Sequence, residues 1–143
     1  MKRAGWILAL FLLAMGTAAL AQEPKVMPQL VVNARFVYVT SYDGPPWSGN
    51  VLPQDRQAIV DVQDSIMKWG KYILVYRPEE ADLILVVQKR GSEDVLAVYD
   101  ARLPGASSQW LWRGMQQGGL DSRELELMTR FQKAVEKAEP PKK

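Results

Sequence analysis

No cysteine and no histidine occurs anywhere in the 143 residues. Without cysteine there is no disulfide scaffold, no thiol nucleophile, no thiolate metal ligand and no lipid anchor of the lipoprotein kind. Without histidine, a Ser-His-Asp triad and the usual zinc and iron ligand sets are excluded. An excess of one charge is missing too, since 18 basic residues face 16 acidic ones. Lys2 and Arg3 stand in the first 21 residues, which hold no Asp or Glu, so residues 22 to 143 are formally neutral. A neutral domain lacks the electrostatic footprint of a nucleic-acid binder, and no nucleic-acid partner is expected.

Long apolar runs are confined to the beginning. Lys2 and Arg3 precede the apolar stretch Trp6 to Met15, and Ala19-Leu20-Ala21 offers the small-x-small pattern that signal peptidase cuts after. Apolar character weakens at Gly16-Thr17, so the stretch is too short to cross a roughly 30 Å hydrocarbon layer comfortably. Residues 1–21 are therefore predicted to be a cleaved signal peptide and not a retained anchor. No later stretch is long enough to span; Leu83 to Val87 covers only five residues. The mature chain is expected to be periplasmic or secreted, with no stable membrane anchor. Removing 21 of 143 residues leaves 122, a single-domain length.

Pro24 and Pro28 mark residues 22–29 as a disordered lead-in. One domain is predicted over 30–138, followed by a disordered tail at 139–143. Leu30 to Ser41 is rich in β-branched and aromatic residues, with apolar side chains on both faces from Phe36 to Val39. That pattern predicts an interior strand covered on both sides. Asp43-Gly44 and Pro45-Pro46 then impose a loop from Tyr42 to Asn50. Pro53 suits a helix first turn; Ile59, Val62, Ile66 and Trp69 share one face, and Gly70 sits where a left-handed terminator is wanted.

Three shorter strands, Tyr72 to Tyr76, Leu83 to Lys89 and Val95 to Arg102, precede a fifth at Trp110 to Met115. Strands three to five should form an antiparallel meander. Asp121 with Glu124 resembles a capping box for a last helix whose apolar face holds Leu127, Phe131, Ala134 and Ala138. The predicted class is α+β, a two-layer β-α-β-β-β-α arrangement with a five-stranded mixed sheet and two helices packed on it.

Trp69-Gly70-Lys71-Tyr72, the run Pro78 to Leu85, Val98-Tyr99-Asp100 and Trp110-Leu111-Trp112 follow one another in this layout. Over about Phe36 to Ala138 the chain resembles small periplasmic α/β domains of bacterial envelope proteins. These are the TolB N-terminal domain, the CsgG-like secretion proteins, the LpoB-type synthase activators and exported bacterial proteins of unknown function. The resemblance implies protein-protein contacts with an envelope partner and not catalysis. It carries no functional residue onto this chain and implies no cofactor.

Motifs with chemistry are few. Ser65-Ile66-Met67-Lys68 fits a Ser-x-x-Lys pattern and Ser48-Gly49-Asn50 mimics a second element, but their order is reversed and no Lys-[Ser/Thr]-Gly follows. Gly44 to Gly49 has phosphate-loop spacing, yet Asn50 and Val51 stand where Lys and Ser/Thr are required. No Asp-rich calcium loop is present. Asp43, Asp82 and Asp100 could serve a small carboxylate hydrolase, against a simpler reading of Asp82 as a turn cap and Asp100 as a strand-edge solubilising group.

The aromatic lead is Trp47, flanked in its Pro/Gly loop by Tyr42 and Asp43. Tyr42, Asp43 and Trp47 are the candidate binding residues, for a protein side chain or, alternatively, for a sugar ring. The competing structural role has Trp47 folded down to close one end of the sheet. The processing reading predicts that exported protein begins at or next to Gln22. Intact-mass spectrometry of the mature chain checks this, and a chain retaining Trp6 in the membrane fraction would overturn it.

Overall fold

The computed structural model describes residues 26–103 and 109–141. The expected leader, most of the lead-in and the last two residues lie outside the described residues. A short helix α1 (Gln29–Asn33) is followed by β1 (Phe36–Ser41), α2 (Pro53–Trp69), β2 (Ile73–Leu74), a 3-10 turn (Pro78–Glu80), β3 (Leu83–Gln88), β4 (Asp94–Asp100), β5 (Trp112–Gln116) and α3 (Glu126–Ala138). Five strands form one sheet in the order β2-β1-β3-β4-β5. β1 runs parallel to both β2 and β3, and β3, β4 and β5 form the antiparallel meander. The α+β class with a five-stranded mixed sheet and two substantial helices is the predicted one.

Strand register assigns the two faces. Val37, Val39, Leu83, Leu85, Val87, Leu96, Val98 and Trp112 point to one side, where they meet Ile59, Val62 and Ile66 of α2 and Leu127, Phe131 and Val135 of α3. Val31 and Val32 of α1 join this core. The opposite side carries Phe36, Tyr38, Thr40, Ile84, Val86, Gln88, Val95, Ala97, Tyr99, Arg113 and Met115. No described helix packs there. β1 is therefore interior in strand order, as predicted, and it is buried on both faces, through Val37 and Val39 on one and Tyr38 on the other. Tyr38, Val86, Val95 and Ala97 on that side are buried as well.

Helix α2 forms as its terminators dictate. Pro53 occupies the first turn, and Gly70 ends the helix at φ 77, with its amide bonded to the Ile66 carbonyl at 3.2 Å. Helix α3 departs from expectation. Asp121 accepts the Arg123 amide at 3.0 Å in a turn of its own, and the helix begins only at Glu126 with no side-chain cap. The turn is preferred because it delivers Leu127 to a slot between glycines. A Cβ on Gly114 would lie 2.8 Å from both Leu127 Cδ2 and Trp112 Cη2, and one on Gly119 would lie 2.5 Å from Leu127 Cγ.

The beginning and end of the domain also need correction. Met27 is buried and Gln29–Asn33 is helical, so the ordered fold starts inside the expected lead-in, and the predicted strand at Leu30 starts only at Phe36. The Tyr72 hydroxyl donates to the Val31 carbonyl at 2.7 Å, fixing this helical turn beneath the aromatic cluster of Trp69, Tyr72, Trp112 and Phe131. Turning Tyr72 inward leaves β2 with two residues where five were predicted. In the expected tail, Glu139 pairs with Lys71 at 2.7 Å.

Ile66 is fully buried while Lys68, two residues on, is exposed. Ile66→Asp should unfold the domain, since an unpaired buried carboxylate costs several kcal/mol against a total stability of roughly 5–15 kcal/mol. Lys68→Ala should change stability by no more than about 0.5 kcal/mol, and Gly114→Ala should cost about 1–3 kcal/mol through overpacking against Leu127. Urea titration separates the three, and equal midpoints for the two α2 variants would refute the assigned helix phase.

Candidate functional site

The loop from Tyr42 to Asn50 leaves the carboxyl end of β1 and enters α2, a position where open α/β sheets commonly hold ligands. Its first turn is tight. Ser41 and Gly44 exchange backbone hydrogen bonds at 3.2 Å in both directions, and the Ser41 hydroxyl donates to the Gly44 carbonyl at 2.6 Å. Gly44 stands at φ +126, a conformation that side chains disfavour. A second turn follows, in which the Ser48 amide donates to the Pro45 carbonyl at 2.9 Å.

Two arginines from outside the loop hold it. Arg56 of α2 donates to the Pro46 carbonyl through Nε and to the Ser48 carbonyl through Nη2, each at 3.0 Å. Arg90, just past β3, donates to Asp43 at 3.0 Å and to both carboxylate oxygens of Asp55 at 3.1 and 3.0 Å. Asp55 is fully buried in the first turn of α2 and also accepts the Lys89 amide at 2.7 Å. Sequence reading missed Arg56, Arg90 and Asp55, because the Asp43–Arg90 and Asp55–Arg90 pairs span 47 and 35 residues.

The structure places the three candidates differently. Trp47 is 82% exposed, so it does not close the end of the sheet. Asp43 is committed to Arg90. Tyr42, 45% exposed, turns its hydroxyl to that of Tyr99 on β4, 3.0 Å away. Burial first and the Tyr99 hydrogen bond second hold the Tyr42 phenol well above its ordinary pKa, so it stays protonated. Sequence reading did not pair Tyr42 with Tyr99.

The other carboxylates have structural partners. Asp82 accepts the amides of Arg35 and Phe36 at 2.9 and 3.0 Å, so it caps the start of β1 across the chain and not a local turn. Asp100 is buried, not a solubilising edge group, and binds Arg102 through its backbone amide at 2.9 Å and guanidinium at 3.1 and 3.2 Å. Among the described residues no three acidic side chains gather in a manner that could hold a metal ion. Ser65 and Lys68 line one groove of about 300 Å³ with Asp61 and Ser122, but the Ser65 hydroxyl pairs with Gln132 at 3.4 Å and the lysine is exposed. Among the described residues no helix is long and apolar enough to cross a membrane. No protein-family model matches this chain, and no curated protein or solved structure does so either.

The backbone amides of Phe36 and Arg35 hold the Asp82 carboxyl below its usual range, and the Arg102 side chain does the same for Asp100. A depressed folded-state pKa contributes stability that is fully present above the unfolded value of about 3.9 and is lost as pH falls through the folded one. Urea midpoints should therefore fall as pH drops from about 4 toward 2. Asp82→Asn with Asp100→Asn should flatten that fall while costing about 1–3 kcal/mol at pH 7. An unchanged acid slope would show that neither carboxylate is linked to folding.

Proposed function

We propose that this chain is a non-catalytic, exported bacterial envelope module that works through protein contacts, with the Tyr42 to Asn50 loop as its contact surface. One observation carries the reading: Trp47 projects into solvent from a loop that Arg56 and Arg90 hold at both ends. An exposed indole loses several tens of Å² of apolar contact with water when a partner covers it, and aromatic anchors dominate interface energetics. The hydrogen bonds to Pro46, Ser48 and Asp43 reduce the loop freedom that binding would otherwise remove. The structural role that competes with binding, cover for the sheet end, does not fit an 82% exposed side chain. Export rests on the leader pattern of residues 1–21.

The test is Trp47→Ala. Circular dichroism and melting should be those of the parent, because the indole buries little. Photo-crosslinking from loop position 49 in cells, followed by affinity measurement with the captured protein, should show binding weakened by on the order of 2 kcal/mol. Undiminished affinity in a folded variant would remove the loop from the functional account. Competition by soluble cell-wall glycan fragments would move the reading to the alternative, a glycan-binding accessory that stacks a sugar ring on the same indole.

A further inference from the structure

Asp43 and Gly44 form the one Asp-Gly step in the chain, and no Asn-Gly step occurs. Such a step carries chemistry of its own, because glycine has no Cβ to hinder attack of its amide nitrogen on the preceding side-chain carboxyl. Both reacting groups are engaged here. Asp43 Oδ2 accepts from Arg90 Nη2 at 3.0 Å, while the Gly44 amide donates to the Ser41 carbonyl at 3.2 Å. The Gly44 carbonyl in turn accepts the Ser41 amide at 3.2 Å and the Ser41 hydroxyl at 2.6 Å. Of these ties the ion pair is the one between side chains that water reaches, with Arg90 31% and Asp43 41% exposed.

We infer that Asp43-Gly44 is a site of spontaneous backbone isomerisation that Arg90 holds shut in the folded protein. In the released step the Gly44 nitrogen bonds to Asp43 Cγ, and the hydroxyl of the neutral carboxyl leaves with the amide proton as water, closing a five-membered succinimide. Water then adds back to one of the two ring carbonyls. Breaking the bond from nitrogen to Cγ restores aspartate, whereas breaking the bond from nitrogen to the backbone carbonyl carbon leaves the chain running through Cβ and Cγ as isoaspartate of unchanged mass. No oxidant, reductant or reactant besides water takes part. Arg90 suits the latch because its position is fixed elsewhere: Nη1 bonds both oxygens of the fully buried Asp55, a carboxylate that cannot be left unpaired, while Nη2 reaches Asp43. Isomerisation moves the carboxylate to a new carbon and lengthens the backbone by one atom. The loop then loses the geometry of its tie to Arg90 and keeps the bonds from Arg56 to Pro46 and Ser48. None of this requires Trp47 to bind a partner.

The test ages the full mature protein at neutral pH and physiological temperature and follows tryptic peptide 36–56 by liquid chromatography and mass spectrometry. Isoaspartate at position 43 appears as a peptide of equal mass and altered retention that resists cleavage by endoproteinase Asp-N before residue 43. It should form about tenfold faster or more in guanidinium chloride than in the folded chain, because unfolding frees both reacting groups. Arg90→Lys isolates the latch: a lysine is a single point donor, the buried Asp55 takes it, and Asp43 is released. With melting showing the variant folded, isomerisation should quicken about twofold to fivefold, the range expected from loss of one part-exposed ion pair. Sodium chloride raised to about 1 M should quicken the parent about twofold, by screening that pair. Should Arg90→Lys fail to fold, the salt comparison decides alone. No isoaspartate in the denatured chain, equal rates in the folded and denatured chains, or a folded Arg90→Lys variant no faster than the parent overturns the inference, as does a folded parent indifferent to salt.

Discussion

The carboxylate of Asp55 has no exposed surface, and the arrangement around the loop depends on how it is satisfied. A buried carboxylate is tolerated only when it is paired and hydrogen-bonded, because its desolvation cost is otherwise several kcal/mol. Here the Lys89 amide and Arg90 guanidinium meet that requirement, and doing so ties the start of α2 to the end of β3. Arg90 has donors to spare and extends the tie to Asp43 in the loop. A second buried carboxylate, Asp94, accepts the Arg90 amide at 3.0 Å and the Leu120 amide at 2.9 Å, which fixes the segment leading to α3. Two carboxylates thus hold three connections of the fold at one end of the sheet.

This concentration of polar bonds permits a two-layer domain of modest size. Both long helices pack on one side, and the sheet's apolar surface there is enclosed by Ile59, Val62, Ile66, Leu127 and Phe131. Burial supplies most of the cohesion, while the polar ties at the sheet end supply position. Ala97, between Val86 and Arg113 on the other side of the sheet, is fully buried as well.

What the sequence made legible was local. Pro53 and Gly70 marked α2 because each acts through its own backbone, and the Ile59, Val62, Ile66 spacing gave the buried face because helical geometry fixes it. Illegible features were those decided by distant partners. Val31 and Val32 have strand propensity, yet a helical turn buries both and the Tyr72 hydroxyl holds its carbonyl. Asp121 looked like a cap, but the slot at Gly114 and Gly119 decides where α3 begins. The apolar run of Phe36 to Val39 did signal burial on both faces, and Val37, Tyr38 and Val39 are all buried. Of the candidate site, Trp47 was legible as an aromatic in a restrained loop. The arginines that restrain it were not.

Trp47 and Arg113 differ in how their environments were settled. Nothing in the described structure requires an indole at position 47, because the loop's turns are made by Gly44, Pro45 and backbone groups of Ser41 and Ser48. A large apolar side chain that adds no cohesion where it stands is spending solvent exposure without a structural return. Arg113 is the inverse, a charged side chain on a strand whose Nε is shielded from water with no partner among the described residues. Between them lies Tyr42, with its ring at the root of the loop and its hydroxyl on the sheet face beside Tyr99. The loop's fixed turns set the direction in which the exposed indole projects, so its geometry is decided by the backbone of the loop and not by contacts of its own.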